Sequence, residues 1–170
     1  AKRLGITCVN LVRNEDRLND LKSFGAEEVW LDNEDVPQRI REFTENKGCA
    51  MALNSVGGRS AVRLAKCVRE GGVHITFGAM VSEPVRFPTR NLIFDDIRFV
   101  GFWLDRWKRK KSLAQLRNAL EDVLQPLALN EVKYPIDSVF AIDDFEAALR
   151  RNSESRFGKV LLARDKELIE

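Results

Sequence analysis

The chain has 170 residues, 44% of them hydrophobic and 32% charged, with 28 Lys and Arg against 26 Asp and Glu for a net charge of +2. That is the composition of a core-forming domain, not of a disordered segment, and its balanced charge gives no reason to expect nucleic acid as a partner. No apolar run approaches the roughly 18 residues of a membrane span, and the N-terminus carries no secretory pattern, so a protein without membrane partner and not secreted is expected.

Ile6 to Val12 is β-branched and apolar, as a buried parallel strand is. Asn14 follows as a helix cap, with Leu18, Leu21 and Phe24 at helical spacing and Gly25 as the stop. Glu28 to Leu31 reads as a second strand, and a helix from about Val36 to Asn46 ends at Lys47-Gly48. Ala50 to Asn54 is a third strand that runs into Ser55-Val56-Gly57-Gly58. A helix of about Arg59 to Arg69 is broken by Glu70-Gly71-Gly72, and Val73 to Phe77 gives a fourth strand. Ile97 to Leu104 is a fifth, followed by one long helix from about Arg106 to Val123, stopped near Pro126. A strand near Val132 to Val139, a helix after Asp143-Asp144 and a strand at Lys159 to Ala163 complete the pattern. Strands alternating with helices at this pace predict an α/β fold, a doubly wound, Rossmann-like parallel sheet covered on both faces.

Cys8, Cys49 and Cys67 are odd in number and widely spaced, which argues against a disulfide framework and for a reducing compartment. His74, the single histidine, leaves a zinc site without its ordinary ligands and removes most Ser-His and Cys-His hydrolase mechanisms. No metal ligand and no catalytic residue is assigned.

Ligands of such sheets bind beyond the carboxyl ends of the strands. The residues there are Arg13, Asn54 to Gly58, Gly78-Ala79-Met80 and Phe102-Trp103-Leu104. Arg13 stands where an acidic residue would meet the adenosine ribose of NAD, and a guanidinium suits the 2′-phosphate of NADP(H). The competing reading is a solvated arginine beside Glu15 and Asp16. The Gly57-Gly58 pair and Gly78 permit close approach of backbone to a ligand, though glycines end many strands. The basic stretch Arg106, Lys108 to Lys111 reads as a solvated helix start or, more sharply, as a docking patch for an acidic carrier protein. Ala1 to Gly5 reads as a helix end, no G-x-G-x-x-G occurs, and the expectation is a sheet lacking its first strand and phosphate loop.

The runs ALNSVGG (Ala52 to Gly58), TFGAM (Thr76 to Met80), RFVGFWLDRW (Arg98 to Trp107) and GKVLL (Gly158 to Leu162) resemble medium-chain dehydrogenases/reductases, most closely the zinc-free 2-enoyl thioester reductases. The resemblance implies that residues 1–130 are part of a dinucleotide-binding domain and that 131–170 return towards a catalytic domain. It implies NADPH-dependent reduction of an enoyl thioester, acyl carrier protein as a partner, a homodimer, and a cytoplasmic or mitochondrial matrix location. It places Gly78, Ala79 and Met80 along the ribose and nicotinamide, Phe102, Trp103 and Leu104 at the carboxamide, and Lys159 at the phosphates or as a surface lysine of an edge strand. The family's proton-donating tyrosine belongs to an N-terminal domain, so this chain alone is expected to be inactive. Ser55 and Phe77-Gly78-Ala79 stand where the family often has Cys and Tyr-Gly-Gly. A quinone oxidoreductase of the same superfamily and a catalytically silent nucleotide-binding or dimerisation module remain the alternatives.

Overall fold

The structure is a computed structural model that describes residues 1–164. Strands β1 (Val9–Val12), β2 (Glu28–Leu31), β3 (Cys49–Asn54), β4 (Val68–Thr76) and β5 (Arg98–Gly101) alternate with α1 (Asp16–Ser23), α2 (Val36–Phe43), α3 (Gly58–Cys67) and the short α4 (Thr89–Ile93). Helices α5 (Leu104–Arg109) and α6 (Leu113–Ala128), strand β6 (Ile136–Ala141), helix α7 (Phe145–Ser153) and strand β7 (Lys159–Ala163) follow. Every strand pairing is parallel: β1 with β2, β3 with β4 and β4 with β5, and β6 with β7. The α/β, Rossmann-like class expected from the strand–helix alternation is the class observed.

The chain divides into two compact units, Ala1–Leu18 with Glu27–Ser112, and Asn19–Ala26 with the residues from Leu113 onward. In the first unit, Trp30, Val36, Ile40 and Cys67 are buried together, with Val9, Leu11 and Cys49 packed against them. Trp30 is 3% exposed, meets Phe43 edge-on at 5.5 Å and carries the Arg39 guanidinium 4.1 Å above its ring. Truncating such an indole to alanine costs about 3–5 kcal/mol. A second cluster, Ala52, Val68 and Ile97 with Leu64 and Phe99, seats α3 on the β3–β4–β5 sheet. In the second unit, α7 packs on β6 and β7, and Arg151 Nη2 donates to Asp137 Oδ1 at 2.6 Å.

Several boundaries differ from the sequence reading, each for a physical reason. α2 ends at Phe43, because Thr44 Oγ1 turns back to the Ile40 carbonyl at 2.7 Å and Glu45 and Asn46 take positive φ. Glu70-Gly71-Gly72 does not separate helix from strand; it is a bulge within β4, between the pairs Cys49↔Val68 and Met51↔Val73. Only Gly fits at position 72, where a Cβ would lie 2.4 Å from Val68 Cγ1 and 2.8 Å from the Arg69 carbonyl. β5 stops at Gly101, so Phe102 and Trp103 are loop and Leu104 opens a helix. The expected long helix is two, broken at Lys110–Ser112, and Pro126 lies inside α6 instead of stopping it. Pro126 has no amide to bond the Asp122 carbonyl, and the helix ends two residues later, where the Glu131 and Val132 amides bond the Pro126 carbonyl. Those bonds also move the next strand to Ile136, beyond Pro135. Finally, the expected cover on both faces of β3 is not seen: Ala52 and Asn54 are buried, but Met51 and Leu53 are exposed.

Candidate functional site

Of the four strand exits that the sequence singles out, the structure gathers three on one rim of the β3–β4–β5 sheet; Arg13 follows β1, in the β1–β2 sheet. The Phe77 amide donates to the Asn54 carbonyl at 3.0 Å, and the Phe102 amide to the Thr76 carbonyl at 2.9 Å. These bonds carry the parallel ladder one step past the last strand pairs, Asn54↔Thr76 and Thr76↔Gly101. Residues 54–58, 77–81 and 102–104 therefore leave the sheet side by side.

Two of these exits are locked together. Asn54 is 1% exposed; its Oδ1 accepts from the Val56 and Gly57 amides at 3.2 and 3.0 Å, and its Nδ2 donates to Thr76 Oγ1 at 3.1 Å. The turn so formed holds Gly57 at φ 89° and Gly58 at φ 51°, a conformation that L side chains rarely adopt. The Val56 carbonyl then accepts from both Met80 (2.9 Å) and Val81 (3.1 Å). Approach is close: a Cβ on Gly78 would lie 2.9 Å from the Ser55 carbonyl, and one on Gly58 would lie 3.0 Å from Val81 Cγ2 and 3.2 Å from Glu83 Oε2. Gly57 and Gly58 are buried, Gly78 half-buried, and Ala79 and Met80 exposed. Phe102, Trp103 and Leu104 are exposed, with Arg106 and Arg109 5.7 and 5.9 Å from the Trp103 ring.

Arg13 directly follows β1, is exposed, and has no ion pair or hydrogen bond among the described residues. Lys159, the first residue of β7, is exposed and belongs to the second unit, where its amide bonds the Pro135 carbonyl.

The sequence reading missed the group that ties the two sheets of this unit. Asp32, one residue past β2, accepts from Arg63 Nε of α3 at 2.7 Å, and Glu34 takes Arg63 Nη1 at 2.9 Å. Burial pushes the Asp32 carboxyl up, but hydrogen bonds from Arg63 and Ser60 outweigh it and hold the pKa below its ordinary value. No local signal links residues 31 apart in the chain. Thr76, the partner of Asn54, was likewise invisible. His74 is fully buried between Phe87 and Phe99, at 5.2 and 5.3 Å between ring centroids. Burial lowers its pKa; the backbone of Ala61 and of His74 itself opposes this, but no partner meets either ring nitrogen with hydrogen-bonding geometry.

Residues 1–122 match the family model described as zinc-binding dehydrogenase. The chain belongs to that family. Within it, the chain is 32% identical over 154 residues to human mitochondrial enoyl-[acyl-carrier-protein] reductase, covering 88% of this chain and 41% of the relative. Its fold is similar to that of the mitochondrial 2-enoyl thioester reductase heterodimer of Candida tropicalis, with TM-score 0.75, 19% identity, and 91% and 47% of the two chains covered. It is also similar to an Etr1p mutant solved in complex with NADP and crotonyl-CoA, with TM-score 0.76, 20% identity and the same two coverages. The chain thus spans less than half the length of these relatives. The similarity in sequence to the human reductase agrees with the resemblance read from the motifs, and the two solved structures agree in fold.

The family is named for zinc, and the described residues do not fit that ion. No group of three His, Cys, Asp or Glu side chains among them could hold a metal. His74 is walled in by phenylalanines, and burial, with a smaller push from Cys49, raises the Cys67 thiol to about 12, far from a thiolate ligand.

Proposed function

We propose that this chain is the cofactor-holding part of a reductase that uses NADPH to reduce the carbon–carbon double bond of an enoyl thioester. The observation that carries the reading is the rim itself: three strand exits side by side, two of them brought to backbone contact at glycines, at the carboxyl end of a parallel sheet. NADPH, when bound, would supply the hydride for the β-carbon of the enoyl thioester, and the α-carbon would take its proton from solvent or from a donor side chain. Arg13, without a partner among the described residues, takes the 2′-phosphate. The segments at Gly57 and at Gly78 to Met80 lie along the ribose and nicotinamide, and Phe102 to Leu104 hold the carboxamide. Residues 1–130 are the dinucleotide-binding part and 131–170 the segment that returns to the catalytic domain.

The relatives' mitochondrial names favour the matrix over the cytoplasm. The basic helix start, with Arg106 beside the Trp103 ring, Lys111 beside the Trp107 ring and Lys108 exposed between them, supports an acidic acyl carrier protein as the natural donor of substrate. Among the described residues β5 has a strand partner on one side only, which supports a homodimer built by continuing the sheet.

The test is turnover by the natural gene product with NADPH and either crotonyl-CoA or a quinone. Faster reduction of the enoyl thioester is expected. Preference for the quinone would move the protein to the other reductase branch. NADPH binding without turnover of either acceptor would make it a silent nucleotide-binding module.

A further inference from the structure

We infer that Asn54 is a positioning residue that sets cofactor affinity without touching the cofactor. The inference rests on the NADPH reading above and concerns how that site is kept in shape.

Asn54 is one of two polar residues buried in the described structure, and all the polar reach of its carboxamide is turned inward. One oxygen organises two consecutive amides, Val56 and Gly57, which fixes the turn that leads from β3 into α3. The nitrogen holds Thr76, the last residue of β4. The same turn presents the Val56 carbonyl to Met80 and Val81. A single buried side chain thereby connects the end of β3, the end of β4 and both loops that leave them. A buried amide left half-satisfied costs more than its bonds contribute, so the network holds one geometry or opens. Replacing the carboxamide by an apolar group of the same size leaves the Val56 and Gly57 amides and the Thr76 hydroxyl without partners. The loops then separate while the sheet, held by the Ala52, Val68 and Ile97 cluster, stays folded.

A carboxylate at this position can still accept from both amides and take the Thr76 hydroxyl as a donor, so Asn54→Asp distinguishes loss of the bonds from loss of volume. The experiment titrates NADPH into wild type, Asn54→Leu, Asn54→Asp and Thr76→Val, and follows amide hydrogen exchange in each. Asn54→Leu is expected to weaken NADPH binding about tenfold or more and to speed exchange at Val56, Gly57, Met80 and Val81, with exchange in β3 to β5 unchanged. Asn54→Asp restores most of the affinity, and Thr76→Val loses an intermediate amount. If Asn54→Leu does not fold, the Asp and Val variants carry the comparison. Unchanged affinity in a folded Asn54→Leu, or no rescue by aspartate, overturns the inference. If wild type fails to bind NADPH, the function reading falls, and the exchange pattern alone decides the role of Asn54: protection of the four loop amides that survives Asn54→Leu refutes it.

Discussion

Replacing Arg63 by methionine removes the partner of a buried carboxylate, and the size of the effect follows from exposure. The side chains of Arg63 and Asp32 are 13% and 8% exposed, whereas Glu34 is 75% exposed. The Glu34 contact is therefore screened and contributes about 0.2–1 kcal/mol at most. The Asp32 contact is different, because Arg63→Met leaves a charge in a place water barely reaches. Breaking one side of a buried pair costs about 3–5 kcal/mol, and the lower end applies at this rim position. A loss of about 3 kcal/mol lowers the melting temperature of a chain this size by about 6–12 °C.

The pH dependence supplies an internal control. In wild type the Asp32 carboxyl is held below its ordinary value, so its stabilisation is complete above that value and fades as pH falls through the lowered one. In Arg63→Met the burial remains and its largest opponent is gone, so the carboxyl titrates above the ordinary range and acid relieves the variant. The gap between the two proteins then narrows on acidification. Asp32→Asn combined with Arg63→Met removes the orphaned charge and recovers most of the loss. Urea unfolding followed by circular dichroism at several pH values measures all three. A deficit below about 0.5 kcal/mol, or one that grows with acid, refutes the assignment of this pair as the tie between the sheets.

Gly78→Ala forces a methyl group to within 2.9 Å of the Ser55 backbone carbonyl, and is expected to cost about 1–3 kcal/mol and weaken NADPH binding. Gly101→Ala, with nothing within 4 Å of its Cβ, serves as the matched control in the same thermal and binding assays. His74 is neutral in the fold because burial lowers its pKa, so protons favour the unfolded chain. Stability is complete above the unfolded value near 6.5 and falls as pH drops from there through the lower folded value. His74→Phe, set between Phe87 and Phe99, abolishes this part of the pH dependence in denaturant titrations from pH 8 to 5; an unchanged slope counts against it.

What the sequence disclosed, and what it hid, follows the range of the forces involved. β2, β7 and the exits at Asn54 to Gly58 and at Gly78 were legible because alternation and glycine act locally. The bulge in β4 was misread as a break, since Gly71-Gly72 serves either purpose and only pairing with β3 decides. The division of α5 from α6 was hidden because Arg106 to Lys111 are strong helix formers and carry no stop signal. Arg13 and Gly57 could be chosen as candidates from their places after strands, but Asp32–Arg63 and Asn54–Thr76 could not. Those pairs join residues from different elements, and nothing in the local pattern marks them.

The claim that the rim after β3, β4 and β5 belongs to an NADPH site, with Arg13 after β1 on the 2′-phosphate, is tested most directly by titrating the natural gene product with NADPH and NADH, as wild type and as Arg13→Ala. The account predicts tighter binding of NADPH, and a loss of about tenfold or more in Arg13→Ala that leaves NADH unchanged, as removal of charge-assisted hydrogen bonds requires. Equal affinity for the two nucleotides in wild type, or an Arg13→Ala variant that still prefers NADPH, would contradict it.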